Sequence, residues 1–162
     1  MKVAIIDYGA GNTQSVKYAL NRLGFKGFLT SDIEEIKKSD KVIFPGVGEA
    51  SSAMSKLQSF GLDSVIPNLT QPVLGICLGM QLIMEKGYEP VETSGLGWIK
   101  GKVIPIENQK LPLPHLGWNN IYSDGVKADS INNNFFFIHS YHVVPEEKLE
   151  LTFVDYEFPI IA

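Results

Sequence analysis

The stretch Pro72–Gln81 constrains the fold more than any other part of this sequence. It reads PVLGICLGMQ, so an apolar run leads into Cys77. The residues after the cysteine, from 78 to 86, carry the apolar spacing of a short amphipathic helix. A strand, a Gly-x-Cys-x-Gly turn and a helix in that order predict a nucleophile elbow, with Cys77 at the end of a central strand.

The glycines on either side of Cys77 fit this geometry. Gly75 and Gly79 stand two residues before and two after the thiol, and small residues allow the backbone between them to take a strained conformation. A thiol near a helix N-terminus is biased toward the thiolate, which is the nucleophile. The alternative is a buried structural cysteine, a common state for this residue type. The two glycines favour the functional interpretation.

The first half of the chain has the pattern of an α/β fold. Short apolar runs at 3–6, 28–30, 41–44 and 73–76 alternate with helical segments, which predicts a parallel sheet covered on both faces. Helix starts are expected at Asn12 or Thr13, and at a Ser31-x-x-Glu34 capping box. Further helical segments are expected at 50–58 and 62–69. Because ligands bind at the carboxyl ends of such strands, the motifs at 9–11, 45–48 and 77 should share one rim.

The second half changes to a β pattern. Strands are expected at 98–106, 119–122, 135–138 and 149–154, with a loop at 89–97 and a turn at Asp124–Gly125. An antiparallel β layer at the edge of the parallel sheet accommodates these strands. The whole chain, 1–162, is expected to form a single domain.

The loop Pro45–Gly48 is a candidate oxyanion site. A proline and two glycines at a strand end allow backbone amides to point in one direction, toward a developing negative charge. The amides of Val47, which follows Gly46, and of Leu78, which follows Cys77, are the donors we expect. A plain turn is the alternative interpretation of a Pro-Gly loop.

Composition excludes several classes of function. The 162 residues carry a net charge of −4, which gives no basic surface for nucleic acid. No apolar run approaches the roughly 20 residues that a membrane span requires. A single cysteine favours a reducing, cytoplasmic setting. The three histidines and the cysteine show no metal-ligand spacing, so neither metal nor cofactor is expected.

Five motifs carry a resemblance to a known family. They are Gly75–Gln81, Asp7–Asn12, Pro45–Gly48, Pro114–Asn119 and His139–Tyr141. Together they resemble the class I (triad-type) glutamine amidotransferases and, within these, the glutaminase subunits of imidazole glycerol phosphate synthase. The resemblance runs in the same order from Met1 to about Asp155 and implies a flavodoxin-like amidotransferase fold.

The resemblance also implies an activity and a partner. Such a subunit hydrolyses glutamine to glutamate and ammonia through a thioester on the cysteine, here Cys77. The ammonia passes to a synthase (cyclase) subunit with a (β/α)₈ barrel, and the two form a heterodimer. The partner makes imidazole glycerol phosphate and aminoimidazole carboxamide ribotide in histidine biosynthesis.

The resemblance assigns further residues to the site. The oxyanion and glutamine-binding positions correspond to Gly46, Val47, Gly48, Leu78, Gln81, Ser140 and Tyr141. The positions facing the partner subunit correspond to Asn12, His115, Trp118 and Asn119. Without the resemblance, Gln81 fits a solvated helix residue, and the Pro114–Asn119 segment fits an exposed loop histidine beside a buried aromatic.

One part of the family pattern does not occur in this sequence. The catalytic base and its orienting acid come from a His-x-Glu motif, whereas the histidines here are His115, His139 and His142. The apolar end Phe158–Ala162 is expected to mark a chain truncated before that motif. His139 is an alternative base for Cys77.

Other functions therefore stay open. One is a docking or regulatory subunit without activity, and another is a cysteine hydrolase or redox sensor of the DJ-1/PfpI type. The Gly9-x-Gly11 pair after the first strand also invites a dinucleotide-binding interpretation. It is weakened by Gln14 in place of the third glycine.

Overall fold

The computed structural model describes residues 1–107, 110–123, 126–127 and 134–161. The helices are α1 (Thr13–Arg22), α2 (Ile33–Lys37), α3 (Ala50–Ser59) and α4 (Leu78–Leu82), with a 3₁₀ turn at Ile66–Asn68. The strands are β1 (Val3–Ile6), β2 (Gly27–Thr30), β3 (Lys41–Gly46), β4 (Val73–Cys77), β5 (Met84–Tyr88), β6 (Glu92–Ser94), β7 (Ile99–Pro105), β8 (His115–Ser123), β9 (Val126–Lys127), β10 (Asn134–His139), β11 (Tyr141–Pro145), β12 (Thr152–Tyr156) and β13 (Phe158–Ile161). Among the residues described, no helix is long and apolar enough to cross a membrane.

The four strands of the first half form the predicted parallel sheet, in the order β2-β1-β3-β4. Side chains alternate across β1, so Val3 and Ile5 join a small buried cluster with Leu20 of α1. Ala4 and Ile6 face the opposite side and join the larger cluster, which includes residues of α2 and α3. The apolar runs therefore bury both faces of β1, as expected for a strand inside a parallel sheet.

The helix boundaries follow local capping. Asn12 is the N-cap of α1, and its side chain accepts a hydrogen bond from the Ser15 amide at 3.2 Å. The expected capping box at Ser31 and Glu34 is wrong by one residue. Asp32 caps α2 by accepting from the Glu35 amide at 2.9 Å, because the chain is still extended through Ser31.

Two expectations about the elbow region are corrected. Strand β4 is an edge of the described parallel sheet rather than a central strand, and Leu74 remains 58% exposed. The helix after Cys77 ends at Leu82 instead of continuing to residue 86. Its last carbonyls accept backbone bonds from the later chain, including the Leu96 amide on the Leu82 oxygen at 2.8 Å. These bonds end α4 and start β5.

The second half forms two further sheets. One has the order β10-β8-β12-β13, with β9 beside β8, and its pairs are antiparallel. The other has the order β11-β7-β5-β6, in which β5 and β7 run parallel and the other pairs are antiparallel. The predicted β character is confirmed, although it is divided between two sheets.

Several boundaries in the β region differ from the expectations. Strand β8 begins at His115 and so includes most of the expected Pro114–Asn119 loop, whereas β12 begins only at Thr152. The expected loop 89–97 contains β6, and the expected helix 62–69 reduces to the 3₁₀ turn. The predicted turn at Asp124–Gly125 lies outside the described residues.

Candidate active site at the Cys77 elbow

Cys77 lies between β4 and α4 in a backbone conformation that L-residues rarely adopt. Its φ is 55° and its ψ is −119°, and its side chain is exposed. Positive φ at a residue with a Cβ costs energy and persists only where the surrounding structure imposes it. Strain at an exposed thiol between a strand and a helix is the geometry of a nucleophile elbow.

The flanking glycines impose this conformation through close packing. A Cβ on Gly79 would lie 1.9 Å from the Phe44 carbonyl oxygen, and a Cβ on Gly75 would lie 2.8 Å from the Met80 Cα. A Cβ on Gly46 would lie 2.5 Å from the Gly79 amide nitrogen. The first turn of α4 therefore rests directly on β3 and β4, backbone against backbone.

The glycine loop 45–48 lies beside the elbow. Gly46 and Cys77 are register partners in the β3–β4 pair, so the two motifs meet at the same end of the sheet. Gly48 has a φ of +94° with open space around its Cα, and Val47 is 51% exposed. Pro45 and Gly46 are thus buried beside the elbow, whereas Val47 and Gly48 are exposed.

Tyr8 forms a hydrogen bond to the glycine loop, although the sequence analysis did not single it out. Its buried hydroxyl donates to the Pro45 carbonyl oxygen at 2.9 Å. Burial, and then the charge of Cys77, raise the pKa of Tyr8 to about 12. The available signal was a tyrosine two residues after the end of the buried strand β1. Tyr8 connects the 7–12 loop to the glycine loop.

A pocket on the far side of α4 contains a second group that sequence reasoning missed. Gln81, one helical turn after the nucleophile, lines this pocket together with Glu89 and the Thr93–Gly95 segment. Burial raises the pKa of the Glu89 carboxyl. Of the predicted glutamine-binding residues, Gln81 is the one in the wall of this pocket. Glu89, which lies in the chain between β5 and β6, belongs to none of the sequence motifs.

Ser140 is the single residue between β10 and β11, and Tyr141 is the first residue of β11. The Ile106 amide donates to the Ser140 oxygen at 2.9 Å. The Tyr141 side chain packs against the buried cluster of Met84, Val103 and Val143, which Met80 of α4 also contacts. The strand pairing therefore brings this segment toward the side of α4.

The histidines are engaged with one another rather than with Cys77. His115 is fully buried, and its Nδ1 lies 2.9 Å from Nε2 of His139. The His142 ring lies edge-on to Phe158. Among the described residues, the structure records no hydrogen bond between Cys77 and a histidine, so the interpretation of His139 as a substitute base gains no support.

The predicted partner-facing residues differ in their exposure. Asn12 is exposed and Trp118 is 66% exposed, whereas His115 is buried and therefore offers no side-chain surface to a partner. The alternative interpretation, an exposed loop histidine beside a buried aromatic, is therefore wrong. His115 is the first residue of β8 and faces inward, whereas Trp118 is on the outer face. Asn119 is half-buried and bonds to His115.

Trp118 belongs to an exposed apolar patch. It forms an edge-on contact with Phe136 on the neighbouring strand β10, with ring centroids 5.5 Å apart. Leu116 and Ile138 are also register partners, and their exposed fractions are 60% and 63%. Four large apolar side chains on one sheet face are typical of a protein–protein contact surface. We call Leu116, Trp118, Phe136 and Ile138 the apolar patch.

Comparison with known proteins identifies the family. The family model described as "Glutamine amidotransferase class-I" matches residues 4–160. This chain belongs to the class-I glutamine amidotransferases.

Two relatives of this amidotransferase agree with that assignment, and another protein of known structure shares its fold. It is 45% identical to "Imidazole glycerol phosphate synthase subunit HisH" of Lactococcus lactis over 157 residues, covering 91% of this chain and 77% of the relative. It is also 45% identical to the protein of that name in Bacteroides fragilis (strain YCH46), covering 100% of this chain and 84% of the relative. A solved glutamine amidotransferase superposes with a TM-score of 0.60 at 17% identity, covering 94% of this chain and 72% of that one. The last likeness concerns the fold alone.

The buried histidines give this amidotransferase a stability that depends on pH. Burial lowers the pKa of both His115 and His139 from the ordinary value of 6.5, and for His115 the neighbouring His139 adds to the effect. Below about pH 6.5 the unfolded chain therefore binds more protons than the folded chain, and stability decreases until the folded-state pKa is passed. We expect the urea midpoint to fall between pH 7.5 and pH 5.5. A midpoint that is constant or rises over this range contradicts the prediction.

Proposed function

We propose that this chain is the glutaminase subunit of an imidazole glycerol phosphate synthase, which supplies ammonia for histidine biosynthesis. The observation that carries the proposal is the strained Cys77 elbow, packed through glycines onto the strand that leads into the glycine loop. The names of its relatives supply the pathway. A thiol in this setting is suited to acyl transfer from an amide.

The reaction begins with attack of the Cys77 sulfur on the side-chain carbonyl carbon of glutamine. The carbonyl oxygen gains negative charge, and we assign its stabilisation to the amides of Val47 and Leu78, on either side of the Gly46–Cys77 register pair. The C–N bond breaks and ammonia leaves after protonation, giving a γ-glutamyl thioester. Water then hydrolyses the thioester to glutamate and the free thiol.

Substrate binding is assigned to two groups of residues. Gln81 and Glu89 line the same pocket, and a carboxylate there complements the α-ammonium group of an amino acid. Ser140 and Tyr141 are assigned the remaining glutamine contacts, as the family resemblance implies. Gly46, Val47 and Gly48, whose loop meets Cys77 at the end of the β3–β4 pair, are assigned the glutamine contacts nearest the thiol.

Proton transfer needs a base and an acid near the sulfur. The family resemblance places these in a His-x-Glu motif, which does not occur in residues 1–162. His115 and His139 are hydrogen-bonded to one another. We therefore assign no base for Cys77 among the three histidines of residues 1–162.

The experiment that tests the function is an assay of glutamate and ammonia release. The full-length subunit is combined with the synthase subunit of the same organism and the nucleotide substrate of the synthase. We expect glutamine turnover that depends on the partner. Binding without turnover would favour a docking subunit, and a reactive thiol indifferent to glutamine would favour a cysteine hydrolase or redox sensor.

We assign partner docking to the apolar patch and to the Asn12 loop, and we take the partner to be a (β/α)₈ barrel in the cytoplasm. Large exposed aromatic side chains commonly dominate the affinity of such interfaces. Trp118 is 66% exposed and is supported by Phe136, so it is ready to enter a partner pocket without rearrangement.

Replacement of Trp118 by alanine tests this assignment. We expect the dissociation constant for the synthase subunit to rise by about thirtyfold, as for loss of a typical interface hot spot. Calorimetry on the purified subunits measures the change. Phe60→Ala removes an aromatic of 46% exposure at the end of α3 and serves as the control. Equal affinities for the Trp118 variant and the unaltered protein contradict the assignment.

A further inference from the structure

A continuous chain of hydrogen bonds crosses the β8–β10 pair and ends at the backbone of Tyr141. Asn119 Nδ2 lies 2.8 Å from Nε2 of His115, and His115 Nδ1 lies 2.9 Å from Nε2 of His139. His139 Nδ1 then lies 2.9 Å from the Tyr141 carbonyl oxygen. All ring nitrogens of the two histidines are therefore engaged.

The final acceptor fixes the direction of every bond in this chain. A carbonyl oxygen only accepts, so His139 Nδ1 carries the proton and, in a neutral ring, its Nε2 is an acceptor. His115 must then donate from Nδ1, which leaves its Nε2 to accept from the Asn119 amide group. One arrangement of protons satisfies all three contacts, with both rings neutral and both in the Nδ1–H form.

The surroundings of His115 keep this arrangement in place. The His115 ring stacks between Phe137, at 4.9 Å and 9° between planes, and Tyr156, at 3.9 Å and 22°. It is fully buried, and burial lowers the pKa of both imidazoles, which favours the neutral rings. The rings have no room to rotate without leaving a buried nitrogen unpaired, a state that costs stability.

We propose that His139 and His115 are positioning residues that form a one-directional relay and hold the Ser140–Tyr141 segment in its glutamine-binding position. The relay fixes the Tyr141 carbonyl, and the Ile106 amide fixes the adjacent Ser140 carbonyl at 2.9 Å. With both carbonyls held, the segment between β10 and β11 has a defined shape before substrate arrives. This inference rests on the proposed function, in which Ser140 and Tyr141 contact glutamine.

Two amide substitutions at His139 separate the two ends of the relay. In His139→Asn, the amide nitrogen can occupy the place of Nδ1 and still donate to the Tyr141 oxygen. In His139→Gln, the amide reaches the place of Nε2 and meets His115, but the bond to Tyr141 is lost. His142→Gln makes the same change at a neighbouring histidine outside the relay and is the control.

The kinetic readout uses glutaminase assays of the full-length subunit with its synthase partner. We expect His139→Gln to raise KM for glutamine by about tenfold, as for loss of one hydrogen bond, while kcat changes by less than about threefold. His139→Asn should stay within about threefold of the unaltered KM. A KM unchanged in the Gln variant, or equal losses of kcat in both variants at constant KM, would overturn the proposal.

An NMR measurement on the unaltered protein tests whether the relay exists. It requires neither an activity assay nor a variant that folds. Two-bond ¹H–¹⁵N correlation spectra at pH 7.5 report which ring nitrogen of each histidine carries the proton. We expect the Nδ1–H form for both His115 and His139. The Nε2–H form or an imidazolium at either position would overturn the relay, whereas absence of glutamine turnover in the unaltered complex would instead count against the proposed function.

Discussion

Replacement of Cys77 by alanine in the full-length subunit is expected to reduce partner-dependent glutamine turnover by about 10⁴-fold or more. The sulfur forms the covalent bond in this mechanism, and no other cysteine is present in the sequence. Its side chain is exposed, so the change removes few packing contacts. Among the residues that the structure describes, no side-chain hydrogen bond of Cys77 is recorded, so alanine removes none there.

Two controls accompany this measurement. Thermal unfolding of Cys77→Ala should match that of the unaltered protein, since alanine keeps the Cβ that makes the positive φ costly and removes only an exposed sulfur. Alkylation by iodoacetamide, mapped by mass spectrometry, should label residues 1–162 of the unaltered subunit once, at Cys77, and the same residues of the variant not at all. Turnover within about a hundredfold of the unaltered enzyme would exclude Cys77 as the nucleophile.

Replacement of Gly46 by alanine is expected to lower kcat by about a hundredfold, the effect of losing one oxyanion donor. The added Cβ would lie 2.5 Å from the Gly79 nitrogen and 2.9 Å from the Leu78 carbonyl carbon. Both are backbone atoms, so relief of the clash requires the first turn of α4 to move away from β3. That movement displaces the Leu78 amide that we assign to the oxyanion.

The matched control is Gly61→Ala. Gly61 has a φ of +67° and open space around its Cα, so alanine there introduces backbone strain without a clash. We expect a loss of about 1 kcal/mol in unfolding free energy with ammonia release unchanged. An unaltered kcat in the folded Gly46 variant would exclude this loop from the oxyanion site.

The sequence by itself predicted the parallel sheet of the first half and the exposed cysteine at a strand-to-helix turn. Residues 3–6 and 42–44 are apolar on consecutive positions, and all seven are buried, as expected for strands inside a parallel sheet. Gly75 and Gly79 make the tight strand-to-helix turn at Cys77 possible, because residues without a Cβ allow backbone conformations and close approaches that other residues do not. The sequence therefore predicted the turn, although its packing against Phe44 depends on the tertiary structure.

Only the tertiary structure decided the remaining features, since these depend on residues far apart in sequence. The end of α4 at Leu82 is set by amides of residues 95–98, and no periodicity within 78–86 reveals it. Tyr8 contacts Pro45 over 37 positions, and His115 meets His139 over 24. The exposure of Trp118 and the burial of His115 follow from which face of β8 turns inward. Strand pairing fixes that choice, because a shift of one residue would exchange the two faces.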